Sequence, residues 1–119
     1  MKAELIKQFS EATKLQDAGQ LEAAKNLLLE LAGKDTPSMR ILAALGLVSY
    51  ELGLWDDAAS VFESGTQMSP DLESVSKGLF HSLWKQGKLV EALEEVKRFQ
   101  SISDSEDYQE IIREINEKW

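Results

Sequence analysis

The stretch Gly53-Leu54-Trp55-Asp56-Asp57-Ala58-Ala59-Ser60-Val61-Phe62 decides how the chain is read. Before it, Ile41, Leu42, Leu45, Val48 and Leu52 recur as one face of a helix; within it, Trp55, Ala58, Ala59 and Phe62 do the same. Only a few residues separate the two runs. A helix that ends in a left-handed residue and hands over to an antiparallel partner looks like this, and glycine takes that conformation with no Cβ clash. The stretch therefore predicts a helix hairpin.

The same punctuation occurs twice more. Gly19-Gln20-Leu21 is followed by Ala24 and Leu28, and Gly87-Lys88-Leu89 by Ala92 and Val96, matching Ala58 and Phe62 after Gly53. Both glycine intervals are 34 residues, the length of one helix-hairpin unit in a stacked array. Helices are expected near 3–17, 21–32, 37–52, 55–67, 70–86, 89–101 and 105–118. Thr36-Pro37 and Ser69-Pro70 each offer a hydroxyl N-cap with proline at the first helical position. Ser103 and Glu106 have capping-box spacing for a last helix with the stripe Tyr108, Ile111, Ile112, Ile115 and Trp119. Gly78 falls inside an expected helix, where alanine should be neutral or stabilising.

The predicted fold is thus all-α: three antiparallel hairpins at about 5–38, 39–72 and 73–106, plus a C-terminal capping helix at about 105–118, in one domain spanning 1–119. The 119 residues suffice to bury a core, and with 43% hydrophobic and 29% charged residues order is expected nearly end to end. No cysteine is present, which excludes disulfides and thiolate chemistry and fits a reducing, cytoplasmic setting. No signal peptide or membrane span is expected. A formal net charge of -8 disfavours nucleic acid and anionic membrane as partners. The segment from Asp104 to Trp119 carries -4 of that charge, a feature suited to a basic partner.

The 34-residue spacing, with Leu42, Leu45, Gly46, Tyr50, Gly53, Trp55, Ala58, Phe62 and Pro70 in the middle unit, resembles the tetratricopeptide repeat family. The outer units keep the turn glycine and the small residue after it. Where the family has small residues, this chain has Leu31, Phe80 and Phe99, which implies wider helix spacing. The resemblance implies a right-handed superhelix whose first helices line a concave groove for a peptide or a partner's helix. Carried across position by position, the groove residues are Ile6, Phe9, Thr13 and Gln16, then Arg40, Ala43, Leu47 and Tyr50, then Ser74, Lys77, His81 and Trp84. Phe9 and Lys77 are expected to face solvent. The carboxylate clamp of one subclass is not expected, because Phe9, Thr13, Ala44, Ser74 and Gly78 occupy its positions.

Catalysis has no constellation to stand on. His81 is the sole histidine, no GxGxxG or GxxxxGK[ST] occurs, and pairs such as Asp56-Asp57 and Glu94-Glu95 do not converge on one point of a helix. No cofactor or metal is expected. The leading reading is a non-catalytic interaction module, an adaptor, chaperone or inhibitor that holds a partner segment in its groove. Two others compete: an immunity-type inhibitor that binds a basic partner through the acidic surface, and a structural homodimer joined through Trp119 and the last helix or through the first helix.

Overall fold

The computed structural model describes residues 2–33 and 38–118. Seven helices follow one another: α1 (Lys2–Asp17), α2 (Leu21–Ala32), α3 (Met39–Glu51), α4 (Trp55–Met68), α5 (Glu73–Lys85), α6 (Leu89–Gln100) and α7 (Glu106–Lys118). No strand occurs among the described residues. The all-α hairpin stack expected from the apolar spacing is what forms.

The turn glycines set the hairpins. Gly19, Gly53 and Gly87 share φ +78°, and the residues after them, Gln20, Leu54 and Lys88, share φ near -87° and ψ near 68°. In each turn the residue after the glycine donates its N–H to the carbonyl five residues back, as Leu54 does to Ser49 at 2.9 Å. One backbone solution is used three times. An L-residue with a Cβ pays for φ +78° in strain, and open space around Gly53 does not remove that cost.

Four helix starts and approaches differ from expectation. α5 begins at Glu73, not at residue 70: Ser69 and Pro70 lie in a turn closed by Leu72 N–H donating to Ser69 O at 3.2 Å, with proline in the second turn position it favours. α3 begins at Met39, and its cap is Ser38, whose Oγ accepts from Ile41 N–H at 3.4 Å; Thr36 and Pro37 lie outside the described residues. α7 is capped by Ser105, which accepts from Tyr108 N–H at 3.1 Å, and not by Ser103. Trp119, expected on the α7 stripe, also lies outside the described residues.

Gly78 is the fourth. A Cβ built there would come within 2.5 Å of the Phe62 ring, and one at Gly46 within 2.7 Å of the same ring. Phe62 of α4 thus reaches between α3 and α5 against bare backbone on both sides. Alanine at 78 is therefore costly, contrary to the expectation from helix propensity alone.

The core runs as three successive clusters. Ala12, Ala24, Leu28, Leu31, Ile41, Leu45 and Val48 join α1, α2 and α3; Ala58, Ala59, Phe62, Val75 and Leu79 join α4 and α5; Phe80, Ala92, Val96, Phe99 and Tyr108 join α5, α6 and α7. Each odd helix therefore packs on the even helix before it through the same register. Ile41 and Leu45 face α2, Val75 and Leu79 face α4, and Tyr108 and Ile112 face α6. The start-to-start steps, 39 to 73 to 106, place α7 as the first helix of a fourth unit as well as the cover of the third.

Candidate partner-binding groove

Helices α1, α3 and α5 form one face. α1 approaches α3 and α3 approaches α5, while α2, α4 and α6 make no comparable approach to one another. A stack whose first helices crowd together and whose second helices spread apart is curved, with the first helices on its inner side. The molecule is accordingly elongated, 48 × 27 × 20 Å.

On that inner face lies a cleft of about 210 Å³ lined by Leu47, Tyr50, Phe62, Gly78 and His81. Leu47 is 47% exposed at its rim, and the Phe62 ring forms part of its wall because Gly46 and Gly78 let it through. The cleft is apolar except for the Tyr50 hydroxyl and the His81 ring. Burial, with the neighbouring charges of Lys77 and Lys85, holds the His81 pKa below its ordinary value, so the imidazole is neutral at pH 7. Leu47, Tyr50 and His81 of the groove set inferred from the sequence are thus brought together at one place.

The other members of that set are spread along the same helices. Phe9 is half-buried against the first cluster and does not face solvent freely. The Thr13 hydroxyl is turned back to Phe9 O at 3.1 Å. Gln16 donates to Glu51 at 2.9 Å and ties the C-terminal ends of α1 and α3. Arg40 is exposed, Ala43 is half-buried, and Trp84 packs on the third cluster beside Phe80, with ring centroids 5.7 Å apart. Lys77 is held by Asp107 and, at 3.6 Å, by Glu73, so it is an ion-paired strut between α5 and α7. Its hydrogen bond to Asp107 raises its pKa.

Sequence reasoning missed the polar seam under α7. Ser76, fully buried, donates to Glu95 Oε2 at 2.6 Å and shares a 2.7 Å hydrogen bond with the Tyr108 hydroxyl. Arg98 clamps Glu95 with two donors, at 2.8 and 2.6 Å, and reaches Pro70 O at 3.0 Å. In the sequence Glu95 reads only as one of an adjacent acidic pair with Glu94. The available signal was Glu95 three residues before Arg98 on a helix whose inner face otherwise reads Ala92, Val96 and Phe99. Burial raises the Tyr108 pKa well above its ordinary value, and the Glu95 contact raises that of Arg98. Among the described residues, no group of three or more His, Cys, Asp or Glu side chains could hold a metal ion.

This geometry has close counterparts among solved structures. SycD, the Yersinia enterocolitica type III secretion chaperone in complex with a peptide of the translocator YopD, superposes with a TM-score of 0.80 at 21% identity, over 97% of this chain and 88% of its own. PcrH, in complex with the chaperone-binding region of PopB, gives 0.79 at 18% identity over 85% and 82%; PcrH is from Pseudomonas aeruginosa. The fold is tetratricopeptide-like. An alternative dimer of SycD gives 0.76 at 22% identity over 95% of this chain and 86% of that one. No family model matches the sequence, and no curated protein sequence does.

Proposed function

We propose that the protein is a non-catalytic binding module, a chaperone or adaptor that holds a segment of a partner protein in the groove formed by α1, α3, α5 and α7. The observation that carries this reading is the apolar cleft between Leu47, Tyr50 and His81, open to solvent on the inner face of a stack. Exposed leucine beside tyrosine at a concave surface gives a partner apolar area to cover and a hydroxyl to orient on. The full groove set, from Phe9, Thr13 and Gln16 through Arg40, Ala43, Leu47 and Tyr50 to Lys77, His81 and Trp84, belongs to the same proposal. SycD and PcrH, which share the fold, are chaperones that hold segments of YopD and PopB. A cytoplasmic setting is part of the reading; no helix among the described residues is long and apolar enough to cross a membrane.

Affinity capture on the wild-type chain and on Leu47→Glu, from a lysate of the source cells, tests it. A protein retained by the wild type and lost on Leu47→Glu, with helix content unchanged, supports the groove. A protein retained equally by both places recognition elsewhere.

A second reading, a homodimer through α1, rests on Ile6, which is 62% exposed near the start of the stack. Sedimentation of the wild type against Ile6→Lys separates it: a dimer that Ile6→Lys turns to monomer supports it, and a monomeric wild type ends it.

A further inference from the structure

The repeat register reveals something the cleft alone does not. Because Val75 and Leu79 on α5 correspond to Tyr108 and Ile112 on α7, the groove positions of α5 also have counterparts on α7. Lys77 corresponds to Glu110, His81 to Glu114 and Trp84 to Glu117; on α3 the same three positions are Ala43, Leu47 and Tyr50. The inner face therefore changes character from helix to helix. Over these three positions it is apolar on α3, mixed on α5 and acidic on α7, and one turn earlier α3 presents exposed Arg40 where α7 has Asp107.

The contacts agree with this register. Lys77, one turn before His81 on α5, reaches across to Asp107 at the start of the same α7 row. Glu110, Glu114 and Glu117 are all exposed, and Glu110 is paired with Arg113, three residues further along the same helix. Opposite them, Tyr108 is fully buried and fixes which face of α7 turns inward. The register and the Lys77–Asp107 pair set the acidic end, a separate candidate site in the sequence, on the same side of the stack as the groove.

We infer that the segment bound in the groove carries an apolar side chain for the Leu47–Tyr50–His81 cleft and lysine or arginine side chains beside it, directed at α7. The inference rests on the groove reading given above and specifies its ligand. Charge complementarity chooses the occupant: a chain of net charge -8 whose groove ends in a carboxylate row repels an acidic segment and draws a basic one. Spacing follows as well. The cleft lies between α3 and α5, so α7 is about one and a half helix spacings of ~8–10 Å away, and an extended chain advancing ~3.3 Å per residue places the first basic residue about four or five positions from the apolar anchor.

Selection of a random 12-residue peptide display library against the full chain tests both levels separately. The expected result is peptides with an apolar residue and an excess of lysine or arginine about four to five positions away. Their binding should fall on Leu47→Glu, and should fall by about tenfold or more at low salt on the triple change Glu110→Lys, Glu114→Lys and Glu117→Lys. Library selection on that triple variant should enrich acidic peptides in place of basic ones. Peptides lost on Leu47→Glu but without basic excess, or indifferent to the triple change, overturn the charge inference and leave the groove standing. Peptides indifferent to Leu47→Glu, or no enrichment at all, overturn the groove reading itself.

Discussion

The two seams on either side of α5 are built in the same register from opposite materials. Between α3, α4 and α5 the interface is dry: Phe62 lies between Gly46 and Gly78, with Ala58, Ala59, Val75 and Leu79 around it. Between α5, α6 and α7 large aromatics, Phe80, Phe99 and Tyr108, surround a buried hydrogen-bonded chain from Tyr108 through Ser76 and Glu95 to Arg98. α7 also approaches its neighbours less closely than the other consecutive helices do. Glycine lets helices close on a single ring; phenylalanine and tyrosine hold them apart and leave room for a polar link. Apolar packing accordingly lies under the cleft, and a hydrogen-bonded polar seam lies under α7.

The largest expected effect is on the dry seam. Phe62→Ala removes the ring shared by three helices and should cost about 3–5 kcal/mol in urea unfolding; a loss under ~1 kcal/mol would mean the middle seam is not the packed one. Gly78→Ala comes next. The added methyl meets Phe62 with backbone behind it, and overpacking of that kind costs about 1–3 kcal/mol. Pairing it with Phe62→Leu should relieve much of the loss, and failure to do so would move the clash elsewhere.

The polar seam should respond less to mutation at neutral pH and more to alkali. Tyr108→Phe gives up one hydrogen bond, while Ser76 keeps its bond to Glu95, so about 1 kcal/mol is expected. The sign with pH is fixed by the raised Tyr108 pKa. The folded protein holds the phenol proton more tightly than the unfolded chain, so this stability is complete below the ordinary tyrosine value of about 10 and is lost as pH rises beyond it. Lys77, also raised, acts in the same direction. Tyr108→Phe should flatten the alkaline loss seen by circular dichroism, and an unchanged slope would assign that loss to Lys77. Lys77→Ala is the smallest change, under about 1 kcal/mol, because its partners are half to mostly exposed.

The same contrast explains what the sequence disclosed. Gly19, Gly53 and Gly87 announce the hairpins because a left-handed turn needs glycine wherever it occurs. Apolar spacing locates every helix, and the family resemblance leads to Leu47, Tyr50 and His81. What stays hidden depends on three-dimensional neighbours. Nothing local to Gly78 reveals that Phe62, sixteen residues away, will fill the space its side chain lacks. The capping-box spacing of Ser103 and Glu106 points to the wrong serine, because the cap forms at Ser105, whose Oγ takes the N–H of the buried Tyr108. Glu95 reads as surface charge until Ser76 from α5 and Arg98 from its own helix converge on it. Which side of α7 carries Glu110, Glu114 and Glu117 is known only once Tyr108 is seen packed against Phe99 of α6.

A titration of the isotope-labelled full chain with a library-selected peptide, followed by amide chemical-shift mapping, tests the central claim most directly. The groove account predicts shifts concentrated on Ala43, Leu47 and Tyr50 of α3, Gly78 and His81 of α5, and Glu110 and Glu114 of α7. Shifts confined to α2, α4 and α6, on the outer side of the stack, would contradict it.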